Sequence, residues 1–114
     1  MNTFKKLTFA AIAGLTLVGL SAPAAANVTG YTVAAHSTRV IEITAEEAFY
    51  LKVIGHDNTD LDFRVVSPVG REALKDIDST SWTEALIDAD AAGTYRLYVQ
   101  NVGDETNAVL VTVR

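Results

Sequence analysis

The sequence predicts an all-β domain, an antiparallel and jelly-roll-like β-sandwich of about six to eight short strands. Three observations lead there. Apolar side chains alternate with period two through much of residues 31–113, and turn-forming residues interrupt the alternation at near-regular spacing. No stretch of the same region carries a helical period long enough for an independent helix.

Taken in order, the chain opens with a different signal. Lys5 and Lys6 precede an apolar run over residues 7–20, which Ser21-Ala22-Pro23 breaks before the small-residue exit Ala24-Ala25-Ala26. The run is shorter than the 18 or so residues a spanning helix needs, so residues 1–26 read as a cleaved export signal rather than an anchor. One domain, residues 27–114, remains. Its first clear alternation sets Thr38, Val40 and Glu42 against Arg39, Ile41 and Ile43, and its second sets Phe49, Leu51 and Val53 against Tyr50, Lys52 and Ile54. In the third, Leu61, Phe63 and Val65 face inward and Asp62 and Arg64 outward, until Ser67-Pro68-Val69-Gly70 turns the chain. Residues 71–76 have helix-favouring side chains over too short a span, and are assigned to a loop. Residues 82–87 form a further strand. Residues 95–100 form the clearest one, with Tyr95, Leu97 and Val99 buried, and the loop 101–107 joins it to a last strand over residues 108–113 as a terminal hairpin.

Composition narrows the function. The 14 acidic residues all follow the signal, whereas Lys5 and Lys6 leave with it, so seven of the nine basic residues remain and the domain carries 7 − 14 = −7. Its arginines and lysines are scattered, which disfavours nucleic acid and anionic lipid surfaces. With no cysteine, neither a disulfide nor a lipid-modified residue at the signal exit is available. The expected setting is periplasmic or extracellular.

The segment Asp60-Leu61-Asp62-Phe63-Arg64-Val65, the turn Ser67-Pro68-Val69-Gly70 and the run Ala91-Ala92-Gly93-Thr94-Tyr95-Arg96-Leu97-Tyr98-Val99-Gln100-Asn101 occur here in an order that resembles the bacterial pre-peptidase C-terminal domain family. The resemblance spans roughly residues 38–113. It implies a small secreted jelly-roll-like sandwich of the kind that follows a protease module. No peptidase precedes it here, so the expectation is an exported accessory or recognition domain standing alone, with no family catalytic residue to transfer.

Several residue groups invite chemistry. Asp57, Asp60 and Asp62, in the run from His56 to Asp62, offer oxygen ligands for calcium, the ion that collagen-binding domains resembling this family hold; His56 suits a transition metal better. The same residue types build any solvated turn, and the EF-hand glycine and terminal glutamate are missing. Asp76, Asp78, Asp88 and Asp90 have the same two readings. His36 and His56 could serve as bases for Ser37, Ser67, Ser79 or Ser81, yet no nucleophile elbow, zinc-protease motif or phosphate loop occurs, and no enzyme is expected. Tyr50 and Tyr98 should face outward and, with Trp82, form the candidate contact surface for a protein or glycan; the favoured competing reading is that both sheet faces are partly covered or that Trp82 is ordinary core. Two functions follow: a recognition domain using an outward strand face or end loops, or a calcium-dependent structural module. A small hydrolase is a third and weaker reading, and oligomeric state is open.

Overall fold

The computed structural model describes residues 27–56 and 59–114, together with two short strands in the leading segment, β1 (Phe9–Ala10) and β2 (Thr16–Leu17). The rest of residues 1–26, on which the expected export signal falls, lies outside the described residues. Eight strands build the domain: β3 (Asn27–Val33), β4 (Thr38–Ala45), β5 (Phe49–Gly55), β6 (Leu61–Val66), β7 (Glu72–Asp76), β8 (Trp82–Ile87), β9 (Gly93–Asn101) and β10 (Asn107–Val113). All the pairings are antiparallel. The larger sheet runs β2-β1-β4-β9-β6-β7 and the smaller β3-β10-β5-β8. Numbered one to eight from β3, the domain strands order as 2-7-4-5 and 1-8-3-6, a jelly roll.

Alternation produces the core. Ile41, Ile43, Leu51, Val53, Leu61, Phe63, Val65, Leu97 and Val99 all point between the sheets and are buried. Phe49 and Tyr95 meet there edge to face, with ring centroids 5.4 Å apart. The Tyr95 hydroxyl donates to the Ala91 carbonyl at 2.8 Å and to Asp90 at 3.3 Å, which ties the β8–β9 loop to the core. Asp90 in turn receives the Arg71 guanidinium at 2.7 Å.

The structure corrects three expectations. Residues 72–76 are an edge strand rather than a loop: β7 pairs with β6 across a bulge at Val65/Val66, and its backbone groups gain partners that an isolated helical turn would lack. Residues 27–33, unassigned above, form the opposite edge of the smaller sheet along β10. Finally, β9 and β10 are not a hairpin. They lie in different sheets, β9 between β4 and β6 and β10 between β3 and β5.

Two asparagines make that crossing possible. Asn101 and Asn107 bracket the loop and are both fully buried. Asn101 donates to the carbonyls of Val33 and Glu105 at 3.0 and 2.7 Å, and accepts from Gly103 N–H at 3.0 Å. Asn107 accepts from His56 N–H at 2.9 Å and donates to the His56 carbonyl and the Thr59 hydroxyl at 3.0 and 2.8 Å. Between them Gly103 passes so close to Thr59 that a Cβ would stand 2.6 Å from the threonine Cβ. Because Asn107→Ala leaves both backbone groups of His56 and the Thr59 hydroxyl without this partner, it should lower stability by about 2 kcal/mol in urea or thermal unfolding.

Candidate functional site

The two outer faces of the sandwich differ in chemistry. On the smaller sheet, cross-strand register aligns Gly30 (β3), Leu110 (β10), Ile54 (β5) and Trp82 (β8) in one row. Leu110, Ile54 and Trp82 are 53, 43 and 49 % exposed, an apolar row over three of the four strands on the solvent side. Gly30 contributes no side chain and Ala108 only a methyl, so the surface sinks beside Leu110 into a trough of about 730 Å³. Arg39 and His56 stand at its rim. A second depression, about 400 Å³, lies between Ile54, Lys52, Trp82 and Glu84, so Ile54 forms the ridge between two hollows.

The rim is fixed from beneath. The Arg39 guanidinium lies 4.9 Å from the Tyr31 ring centroid and donates to the Thr32 carbonyl at 3.1 Å. Burial, opposed by Arg39, raises the Tyr31 phenol above its ordinary range.

The aromatic candidates separate. Tyr50 and Trp82 share the smaller sheet's outer face, while Tyr98, on β9, lies half-buried on the outer face of the larger sheet, so Tyr50 and Tyr98 do not form a pair. Tyr50 is already engaged: Arg114 covers its ring at 4.6 Å, and its hydroxyl donates to the Glu84 carboxylate. That bond is the first cause of a raised Tyr50 phenol pKa. Trp82 is exposed rather than core. Alternation alone does not mark Gly30, Ile54 and Leu110 as a site, although Ile54 and Leu110 are apolar at outward positions, where a solvated sheet face is ordinarily polar.

Of the proposed calcium ligands, Asp57 lies outside the described residues. Asp60 precedes β6 and Asp62 lies on it, and among the described residues no group of three His, Cys, Asp or Glu side chains is placed to hold a metal ion. One buried oxygen of Asp60, Oδ1, has no hydrogen-bond partner among those residues. Asp78 accepts from the Thr80 hydroxyl and N–H at 2.6 and 2.9 Å, which lowers its pKa, and Asp90 is lowered by Arg71; both tie down turns. His36, at a positive φ of 55°, pairs with the exposed Asp104 at 2.7 Å rather than with a serine. No helix among the described residues is long and apolar enough to cross a membrane.

Comparison of the sequence with protein families and with curated proteins finds no match. Solved structures do match in shape. The pre-peptidase C-terminal domain of a Bacillus anthracis collagenase superposes with a TM-score of 0.63 at 15 % identity, covering 77 % of this chain and 88 % of that one. The Yersinia pseudotuberculosis-derived mitogen gives 0.59 at 15 %, covering 78 and 84 %. PliG of Aeromonas hydrophila, a periplasmic inhibitor of g-type lysozyme, gives 0.54 at 14 %, covering 85 and 93 %. The chain therefore has a fold like that of a pre-peptidase C-terminal domain.

Burial first, then the charges of Asp60, Asp76 and Asp78, raises the Asp62 carboxyl above 3.8. The folded chain then holds this proton more tightly than the unfolded one, so stability falls as pH rises from 3.8 through the raised value and stays reduced above it. Asp62→Asn should accordingly raise the melting temperature at neutral pH. The gain should disappear in acid below the ordinary carboxylate range, where both states are protonated, and a melting-temperature series against pH checks both limbs.

Proposed function

We propose that the protein is an exported, non-enzymatic recognition β-sandwich, related to the pre-peptidase C-terminal domains, that binds a protein partner through the outer face of its smaller sheet. One observation carries this reading: the Gly30–Leu110–Ile54–Trp82 row, with a hollow on either side of its Ile54 ridge. Isolated exposed apolar side chains are ordinary, but a row continuous over three adjacent strands, with Gly30 open beside it on the fourth, is the pattern of an interaction surface. Its lining favours protein over glycan, because sugar hydroxyls would meet mostly hydrocarbon there. An apolar side chain of a partner fits the trough beside Leu110, with Arg39 and His56 placed to receive carbonyl or carboxylate oxygens at the rim, and Trp82 supplies the rigid aromatic surface typical of binding centres.

Export rests on the dibasic start, the short apolar run and the Ala24-Ala25-Ala26 exit. Among similarly folded proteins, PliG, a periplasmic inhibitor of g-type lysozyme, offers a precedent for such a sandwich acting on a protein.

The test compares proteins retained from the producing cell's envelope extract by the immobilised wild type, by Leu110→Asp and by Tyr98→Ala, which alters the opposite face. A specific partner should stay with wild type and Tyr98→Ala and fall by about tenfold or more on Leu110→Asp, the loss expected for a charge placed in an apolar contact. Equal retention by a Leu110→Asp variant with unchanged circular dichroism rejects the assignment.

A further inference from the structure

The larger sheet has an outer face of different composition, and we propose that it carries a second, independent site for a neutral sugar, stacked on Tyr98. Register sets two adjacent rows across the sheet. In one, Thr38, Gln100 and Asp62 stand side by side on β4, β9 and β6; in the other, Tyr98 stands next to Arg64, which faces Lys75. These residues line a cleft of about 340 Å³. That volume lies at the small end of the roughly 300–1,000 Å³ found for small-molecule sites, and suits one or two sugar rings better than a folded partner.

Hydroxyl, carboxamide and carboxylate groups repeat at the cross-strand spacing of about 5 Å, and together they both donate and accept hydrogen bonds. Beside them the half-buried Tyr98 ring gives a flat apolar platform with its motion restricted by the sheet. A pyranose has this same division, with C–H groups on one face and hydroxyls around its edge. The trough on the smaller sheet, by contrast, is hydrocarbon with a basic rim, so the two faces select different chemistry.

Charge favours a neutral ligand. Asp62, whose carboxyl is raised first by burial and then by the charges of Asp60, Asp76 and Asp78, already sits among carboxylates. Of the cations at the cleft, Arg64 is engaged by Glu72 at 2.9 Å. With Arg64 paired to Glu72, the remaining charges that line the cleft, Asp62 and Lys75, offset each other, and the lining offers an anionic sugar no net attraction. Lys75 serves instead as a donor to a ring oxygen or hydroxyl.

Chitotriose, cellotriose, maltotriose and trigalacturonate, each titrated to about 20 mM into isotopically labelled protein, provide the probes, with amide shifts as the readout. At least one neutral trisaccharide should shift Asp62, Arg64, Tyr98 and Gln100 saturably while leaving Gly30 and Leu110 unmoved. Tyr98→Ala should weaken that binding by about tenfold or more and Gln100→Ala by about threefold, whereas Tyr98→Phe, which keeps the ring, should preserve it. Absence of a saturable shift with all three neutral sugars overturns the proposal. So does binding of trigalacturonate alone, unchanged binding by Tyr98→Ala, or a response confined to the smaller sheet. Because Leu110→Asp leaves this cleft intact, loss of the protein-binding reading does not remove the sugar site, nor the reverse.

Discussion

The whole arrangement depends on how the chain crosses from one sheet to the other between β9 and β10. Moving a strand across a sandwich strands backbone groups away from both ladders, where each unsatisfied group costs about 1–3 kcal/mol. Asn101 and Asn107 meet that demand with side chains shaped like the peptide group itself, donating and accepting at once. The loop between them is also stitched to its surroundings: Asn101 N–H reaches the Ser37 carbonyl at 2.9 Å, Val102 N–H the Asp60 carbonyl at 3.0 Å and His36 N–H the Gly103 carbonyl at 3.2 Å. Three turns at one end of the sandwich are thus joined through a single connection. The register of β10, and with it the alignment of Leu110 against Gly30 and Ile54, is set from this point.

The same period that buries the core also composes the two outer faces. A residue on β5, β8, β9 or β10 that does not point between the sheets must point to solvent, so composition at these positions is free of packing and records other pressures. On the smaller sheet they include Leu110, Ile54 and Trp82 in one row, with Tyr50, Lys52 and Glu84 beside it. On the larger sheet β9 contributes Arg96, Tyr98 and Gln100, next to Val40 of β4 and Asp62 and Arg64 of β6. A domain needing only solubility would fill both with the mixed charges that cover ordinary sheet faces. The apolar row is costly in that sense, because it risks association, and its edge strand β8 carries Glu84 beside Trp82 where it keeps water on the rim.

Much of the fold is legible in the residues alone. Leu61-Asp62-Phe63-Arg64-Val65 and Tyr95-Arg96-Leu97-Tyr98-Val99 alternate so strictly that strand, face and burial all follow. What escapes has a definite physical origin in each case. Glu72-Ala73-Leu74-Lys75 has helical propensity, and only a neighbouring strand's unpaired edge makes it extended. Asn101 and Asn107 look like turn formers, since a carboxamide that caps a turn and one that replaces a buried peptide group have the same letter. The face partners Gly30, Leu110, Ile54 and Trp82 are spread over 53 positions of sequence from Gly30 to Trp82, with Leu110 later still, and only strand order makes them neighbours. Conversely, Tyr50 and Tyr98 look alike in the sequence and end on opposite sides, because β5 and β9 belong to different sheets.

The final strand, β10, occupies an interior position, flanked by β3, where the domain begins, and by β5. The β5–β8 pair can form without it, but β3 has no other neighbour in the sheet and joins only once residues 107–113 are in place. Closing the smaller sheet therefore joins residues 27–33 to residues 107–113, a pairing of high sequence separation whose loop-closure cost is met before any ladder bond offsets it, so this edge is the slow step of sheet formation.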